Sequence, residues 1–261
     1  MAKPTSDGLF GPGSVTWRVM GRPEIWVGGF RAAYLQALHP RVMRGTWQNT
    51  AFADPAAAWG RFLRTTEFVR VRTYGGRGEV DRAGRRIRKI HASLTGTDAD
   101  GTEFRLDEPG LLLWVHCGEV DSYLDVVRRG GMPLTGRDAD RFVAEQRRGA
   151  AVVGLDPAQV PGSAADLATY FAAMRPQLRV TPEARQAMLR SVNARLPAAQ
   201  LTFRLALPSL AALGFASLPR WARRMYGTPG IGLTDLAATA GLRAFHEGMA
   251  RLPAGLLRPA A

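Results

Sequence analysis

Apolar positions along this 261-residue chain recur mostly at three- and four-residue spacing, the period that lines one face of an α-helix. Strand-like alternation is scarce. Trp26 to Leu38 reads as a helix that stops before His39-Pro40, because a residue preceding proline is pushed out of the helical region. Asp54-Pro55 joins an N-cap to proline at the first helical position and predicts a helix to about Val71. Gly75, Gly76 and Gly78 break the chain. The next helix has Val80, Ala83, Ile87, His91 and Leu94 on its inward stripe. Residues 96–107 are polar and read as a loop or short hairpin. Pro109 then opens a long helix whose inward stripe is Leu112, His116, Val120, Tyr123 and Val127.

Later boundaries are equally local. Thr135 with Asp138, and Ser163 with Asp166, resemble capping boxes with Asp in place of Glu. Gly154 suits a helix C-terminus. Thr181-Pro182-Glu183 starts a helix that ends near Pro197. The most apolar run, Leu201 to Leu218, carries Arg204 and Pro208 and reads as a broken core helix. No internal repeat is present. The fold class is therefore all-α, a single mainly helical domain. Residues 14–180 form its core, and 181–261 a basic helical extension packed on that core.

Composition narrows the chemistry. The lone cysteine, Cys117, excludes a disulfide framework and any thiolate-rich metal site. The formal charge of +13 raises the question of nucleic acid, yet only Lys3 and Lys89 are lysines among 35 basic residues. That skew towards arginine, with abundant Ala and Gly, is the mark of a GC-rich genome, and no specific nucleic-acid partner is expected. From Arg185 onward ten arginines face only Asp235 and Glu247. This basic third suits a solvated face, an acidic partner or peripheral contact with a membrane. Residues 1–13 lack a charged stretch followed by an apolar core, so a cytoplasmic location is expected.

The chain has four histidines. His39, ahead of proline, reads as a structural residue that satisfies a free helix-end carbonyl, and His246 as a surface or capping residue. His91 and His116 fall on apolar stripes. Each is either a core histidine with satisfied nitrogens or a neutral imidazole offered to a metal from a rigid helix. Arg61, Arg64 and Thr65 share one helix face, continued by Phe68 and flanked by Phe62. They are either a solvated face with snorkelling arginines, or donors for carboxylates and for an oxygen species. Arg88, one turn before His91, could reach a carboxylate while His91 reaches a metal.

Several stretches together resemble the family of the latex-clearing proteins (rubber oxygenases) and MpaB-type oxygenases. They are Gly28-Gly29 with Leu35-Gln36-Ala37-Leu38-His39-Pro40, and Arg64-Thr65-Thr66-Glu67-Phe68 with Tyr74-Gly75. The similarity continues in Ile90-His91-Ala92-Ser93-Leu94-Thr95-Gly96, in Leu112-Leu113-Trp114-Val115-His116, and from Gly154 to Pro161. It covers about residues 14 to 180. The resemblance implies a globin-like helical core holding haem b, and dioxygen- or peroxide-dependent oxidation of an apolar small molecule, with an electron donor that is not specified. The family's proximal Arg-x-x-His lands on Arg88 and His91, which makes His91 the implied iron ligand with His116 next in line.

The family's distal Arg-x-x-Lys-Thr lands on Arg61, Arg64 and Thr65. Here Arg64 replaces the lysine, and a guanidinium does not readily lose a proton to become a ligand. The resemblance with that departure implies an open or water-filled distal side. Arg64 and Thr65 would act as catalytic donors there, Arg61 and Arg88 as cofactor-binding residues, and Phe62 and Phe68 as pocket walls. A non-catalytic haem carrier or sensor, and a basic membrane- or nucleic-acid-binding module, are the alternative functions.

Overall fold

The computed structural model describes residues 7–50, 55–192 and 201–251. Within them lie twelve α-helices: α1 (Val15–Met20), α2 (Ile25–Gln36), α3 (Pro40–Gln48), α4 (Pro55–Tyr74), α5 (Arg77–Ser93), α6 (Pro109–Arg129), α7 (Gly136–Val152), α8 (Ala164–Met174), α9 (Pro182–Val192), α10 (Leu201–Ala216), α11 (Arg220–Met225) and α12 (Gly232–Arg251). One antiparallel hairpin, β1 (Thr95–Thr97) and β2 (Glu103–Arg105), occupies the polar stretch between α5 and α6. The all-α class holds. The helix starts written locally in the sequence are also present. Proline occupies the first turn of α6, and Thr135 and Asp138 close a reciprocal capping box on α7. Pro40, where the sequence reads only as the stop of α2, in fact opens α3. Ser163 caps α8, but the Asp166 carboxylate accepts from Gly162 N instead of completing the box. Asp54 and Pro197 lie outside the described residues.

The core is organised around α2 and α6. Gly28 lies against Tyr123 and Val126, and Gly118 against Gln36, so the two helices approach closely where side chains are missing. Gly214 does the same for α10, seated on the backbone of Val27 and Arg31. Trp114, fully buried, donates its indole N–H to Gln36 O and so occupies a carbonyl at the end of α2. One hydrophobic cluster runs from Val15 and Val19 through Trp114 and Phe142 to Ala211, Leu218, Ala222 and Leu242. The C-terminal helices therefore share the core of the N-terminal ones. α10 is continuous through Pro208, where the sequence reads as a broken helix.

Buried charges tie the elements together. α1 has no acidic residue in its first turn, and Glu145 of α7 fills the role by accepting from Val15 N, Thr16 N and Thr16 Oγ1. Arg31 is paired with Asp121 at 2.7 Å and Asp125 at 3.3 Å, and donates to Ser122 and Ser217 O. Arg223 reaches Asp235 at 2.6 Å and the carbonyl of Ala216. Both guanidinium groups have an acid, which is the condition for keeping a charge in a low-dielectric interior.

Two histidines differ from their sequence reading. His246 is not a surface or capping residue: its Nδ1 lies 3.2 Å from the carboxylate of fully buried Glu24, and its Nε2 lies 3.2 Å from Arg22 Nη2. His39 does not satisfy a helix-end carbonyl, and its Nδ1 is buried without a partner. Nearby carbonyls are already taken, Gln36 O by Trp114 and Leu38 O by Arg179 N.

Candidate functional site

α4 packs against both α5 and α7, and its two ends meet different histidines. Near the N-terminal end, the guanidinium of Arg61 lies close enough to His91 of α5 to act on it electrostatically. Near the C-terminal end, Arg72 lies beside His116 of α6. The two arginines are three helical turns apart, about 16 Å along the axis. The two histidines therefore sit in two distinct environments.

His91 is half-buried on the C-terminal turn of α5. Burial pushes its pKa down, the Arg61 charge adds to that, and Asp107 opposes it, so the ring is neutral around pH 7. Its Nδ1 is buried and has no hydrogen-bond partner. Asp107 is itself held low by two hydrogen bonds from Arg105, at 2.6 and 2.8 Å. The hairpin thus presents an already paired carboxylate near the imidazole.

Arg61 is the unusual member. Burial lowers its pKa, and the neighbouring Arg64 charge lowers it further. Its guanidinium donates to the Thr50 hydroxyl, and no carboxylate pairs with Arg61 or Arg64 among the described residues. A desolvated cation beside a second cation without an acid is electrostatically incomplete. Arg64 and Thr65 are exposed, and the Thr65 hydroxyl donates to Arg61 O at 3.0 Å, so its proton is committed within α4. Arg88 fastens α5 to α7 by donating to Val152 O at 2.7 Å. Phe62 stacks between Trp26 and Phe30 of α2, with ring centroids 6.1 and 6.4 Å away, and so belongs to an aromatic strip. Phe68 instead lies under the Arg72 guanidinium.

The His116 environment is closed. His116 and Arg72 are each only 4% exposed. Arg72 grips Glu119 with two hydrogen bonds, at 2.6 and 3.2 Å. Burial opposes the charge on Glu119, and Arg72 outweighs it, holding the carboxyl below its ordinary range. Burial pushes His116 down to about 4, with repulsion from Arg72 added and attraction to Glu119 opposing. Its Nε2 is buried without a partner. The sequence reading missed this pairing, although it left a signal. Glu119 stands one turn from both His116 and Tyr123 on a buried stripe, and an acid there needs a cation.

A separate cleft of about 660 Å³ is lined by His39, Leu113, Tyr170, Met174 and Arg179 together with Arg41, Arg44, Asp98, Asp100 and Glu108. Its arginines and acids balance, Arg41 pairing with Asp98 at 2.8 Å and approaching Glu108 at 3.5 Å. None of His91, His116 and Arg61 lines it. Among the described residues, no group of three or more His, Cys, Asp or Glu could hold a metal ion. No helix among them is long and apolar enough to cross a membrane.

Residues 17–251 match the family described as ER-bound oxygenase mpaB/B'/Rubber oxygenase, catalytic domain. No curated protein and no solved structure matches the chain.

Proposed function

The chain belongs to the rubber oxygenase/MpaB catalytic-domain family, and from that premise we propose that it is a haem-b-dependent oxygenase acting on an apolar small molecule with dioxygen or peroxide. Family membership supports the oxygenase reading. The observation that carries the haem reading is the pair formed by His91 and Arg61. A neutral imidazole with an unpartnered ring nitrogen stands next to a half-buried guanidinium that has no acidic partner among the described residues. Haem b answers both deficits, with an iron that takes a neutral imidazole and propionates that give this arginine a counter-charge. The residues present fit the group. When bound, it would supply the oxygen chemistry that no amino-acid side chain supplies.

His91 would be the protein ligand, kept available because burial and Arg61 both disfavour its protonation. Arg61 would hold a carboxylate, gaining from ionic pairing what it now lacks. Arg64, at i+3 and exposed, offers hydrogen bonds on the same face. Thr65 contributes through its oxygen, since its proton is given to Arg61 O. Arg88 fixes the end of α5 against α7, and only its remaining N–H groups could reach a propionate. The Trp26–Phe62–Phe30 strip beside Arg61 would give an apolar wall to the substrate.

Purification with haem supplied, followed by dioxygen-uptake measurements with alkene and terpenoid substrates, tests the proposal. Substrate-dependent uptake with oxidised product supports it. A stoichiometric Soret band without uptake for any substrate, with dioxygen or with peroxide, would point to a haem carrier or sensor instead.

A further inference from the structure

The most exposed large apolar residues among those described are Leu233 and Leu236, each at 70%, on the first turns of α12. Ile231, just before the helix, is 51% exposed. Helical spacing puts Leu233, Leu236, Ala237, Ala240 and Ala244 on one outward face; its first three turns carry no charge, and Arg243 and Glu247 follow at its C-terminal end. The opposite side of α12 is apolar for a different reason: Ala238 and Leu242 are buried in the core. A helix that only met water would carry polar residues on its outer face.

Cations border this face. Arg220 lies against Gly232 and Arg224 against Gly230, at its start, and Arg243 stands further along it. Arg220 is paired with Asp235, whereas Arg224 and Arg243 have no acidic partner among the described residues. Aliphatic side chains on an exposed helix, rimmed by unpaired arginines, combine the two attractions of an anionic lipid surface: apolar insertion and charge neutralisation.

We propose that the outer face of α12, with Ile231, Leu233 and Leu236 as inserting residues and Arg224 and Arg243 as headgroup contacts, docks the protein on an anionic membrane surface. Charge complementarity selects this occupant over a second copy of the chain. Two copies meeting face to face would bring these arginines towards their own equivalents, in molecules each carrying +13.

The test is flotation of the full chain as purified, with phosphatidylcholine vesicles and with mixed phosphatidylcholine–phosphatidylglycerol vesicles, at low and high salt. The wild type floats with the mixed vesicles and is released by salt. Leu233→Asp with Leu236→Asp lowers vesicle affinity by at least about tenfold, and Arg224→Ala by about fivefold. Both positions are exposed, so circular dichroism remains that of the wild type. The milder Leu233→Ser with Leu236→Ser provides the same comparison if the aspartates disturb α12. Three results overturn the proposal: no flotation of the wild type, equal flotation of the leucine variants, or lipid-free dimerisation in the ultracentrifuge that these variants abolish.

Discussion

The two ends of α4 show how the same residue types, arginine and histidine, come to opposite ends. At Arg72 and His116 the histidine sits against a complete ion pair: Glu119 neutralises the guanidinium through two hydrogen bonds. At Arg61 and His91 no acid pairs with the guanidinium among the described residues, Arg64 adds repulsion, and the Thr50 hydroxyl accepts its hydrogen bond. A buried cation with its own carboxylate is a structural element. One without it is a place where something negative belongs. This difference is the ground for choosing His91 over His116 as the ligand, and it does not depend on family spacing.

The largest effect should come from breaking the closed end. Glu119→Ala leaves Arg72 buried and unpaired, and chemical denaturation should show a loss of about 3–5 kcal/mol. Haem bound per folded molecule should be unchanged. The next effect is pH-dependent. The folded ring of His116 is depressed to about 4 from 6.5, so the unfolded chain takes up the proton first as pH falls. Stability is full above about pH 6.5 and declines by up to about 3 kcal/mol as pH drops towards 4. His116→Asn should flatten that decline in denaturation curves across this range.

At the open end the expected balance reverses. Arg61→Gln removes a cation with no carboxylate partner among the described residues, so the stability of the haem-free protein should change by less than about 1 kcal/mol. Haem affinity, by spectrophotometric titration, should fall about tenfold with the loss of one charge-assisted contact. Equal destabilisation by Arg61→Gln and Glu119→Ala would erase the contrast between the two ends. Thr65→Val should be the mildest change, because its hydroxyl bonds its own helix, with a stability loss of about 0.5 kcal/mol or less.

Much of the fold was legible because it is written locally. Pro109 and Pro182 each open a helix in a sequence context that states it, and the Thr135–Asp138 box closes as its spacing implies. What was not legible is pairing through space. Arg88 and His91 look like partners at one-turn spacing, yet Arg88 binds the last carbonyl of α7, and the guanidinium acting on His91 comes from α4. His246 looks like a surface residue because nothing near it in the sequence announces Glu24, which lies at the far end of the chain and wholly inside. The stripe that suggested both His91 and His116 gave the burial of His116, whereas His91 is only half-buried. It could not say which of them had a neighbour already satisfied.

The central claim is that the open end of α4 receives haem through His91. The most direct measurement is the Soret absorption of haem-loaded protein for the wild type, His91→Ala and His116→Asn, each checked for folding by circular dichroism. The account predicts a stoichiometric band in the wild type and in His116→Asn, and its loss in a folded His91→Ala. A band unchanged in His91→Ala and lost in a folded His116→Asn would contradict it.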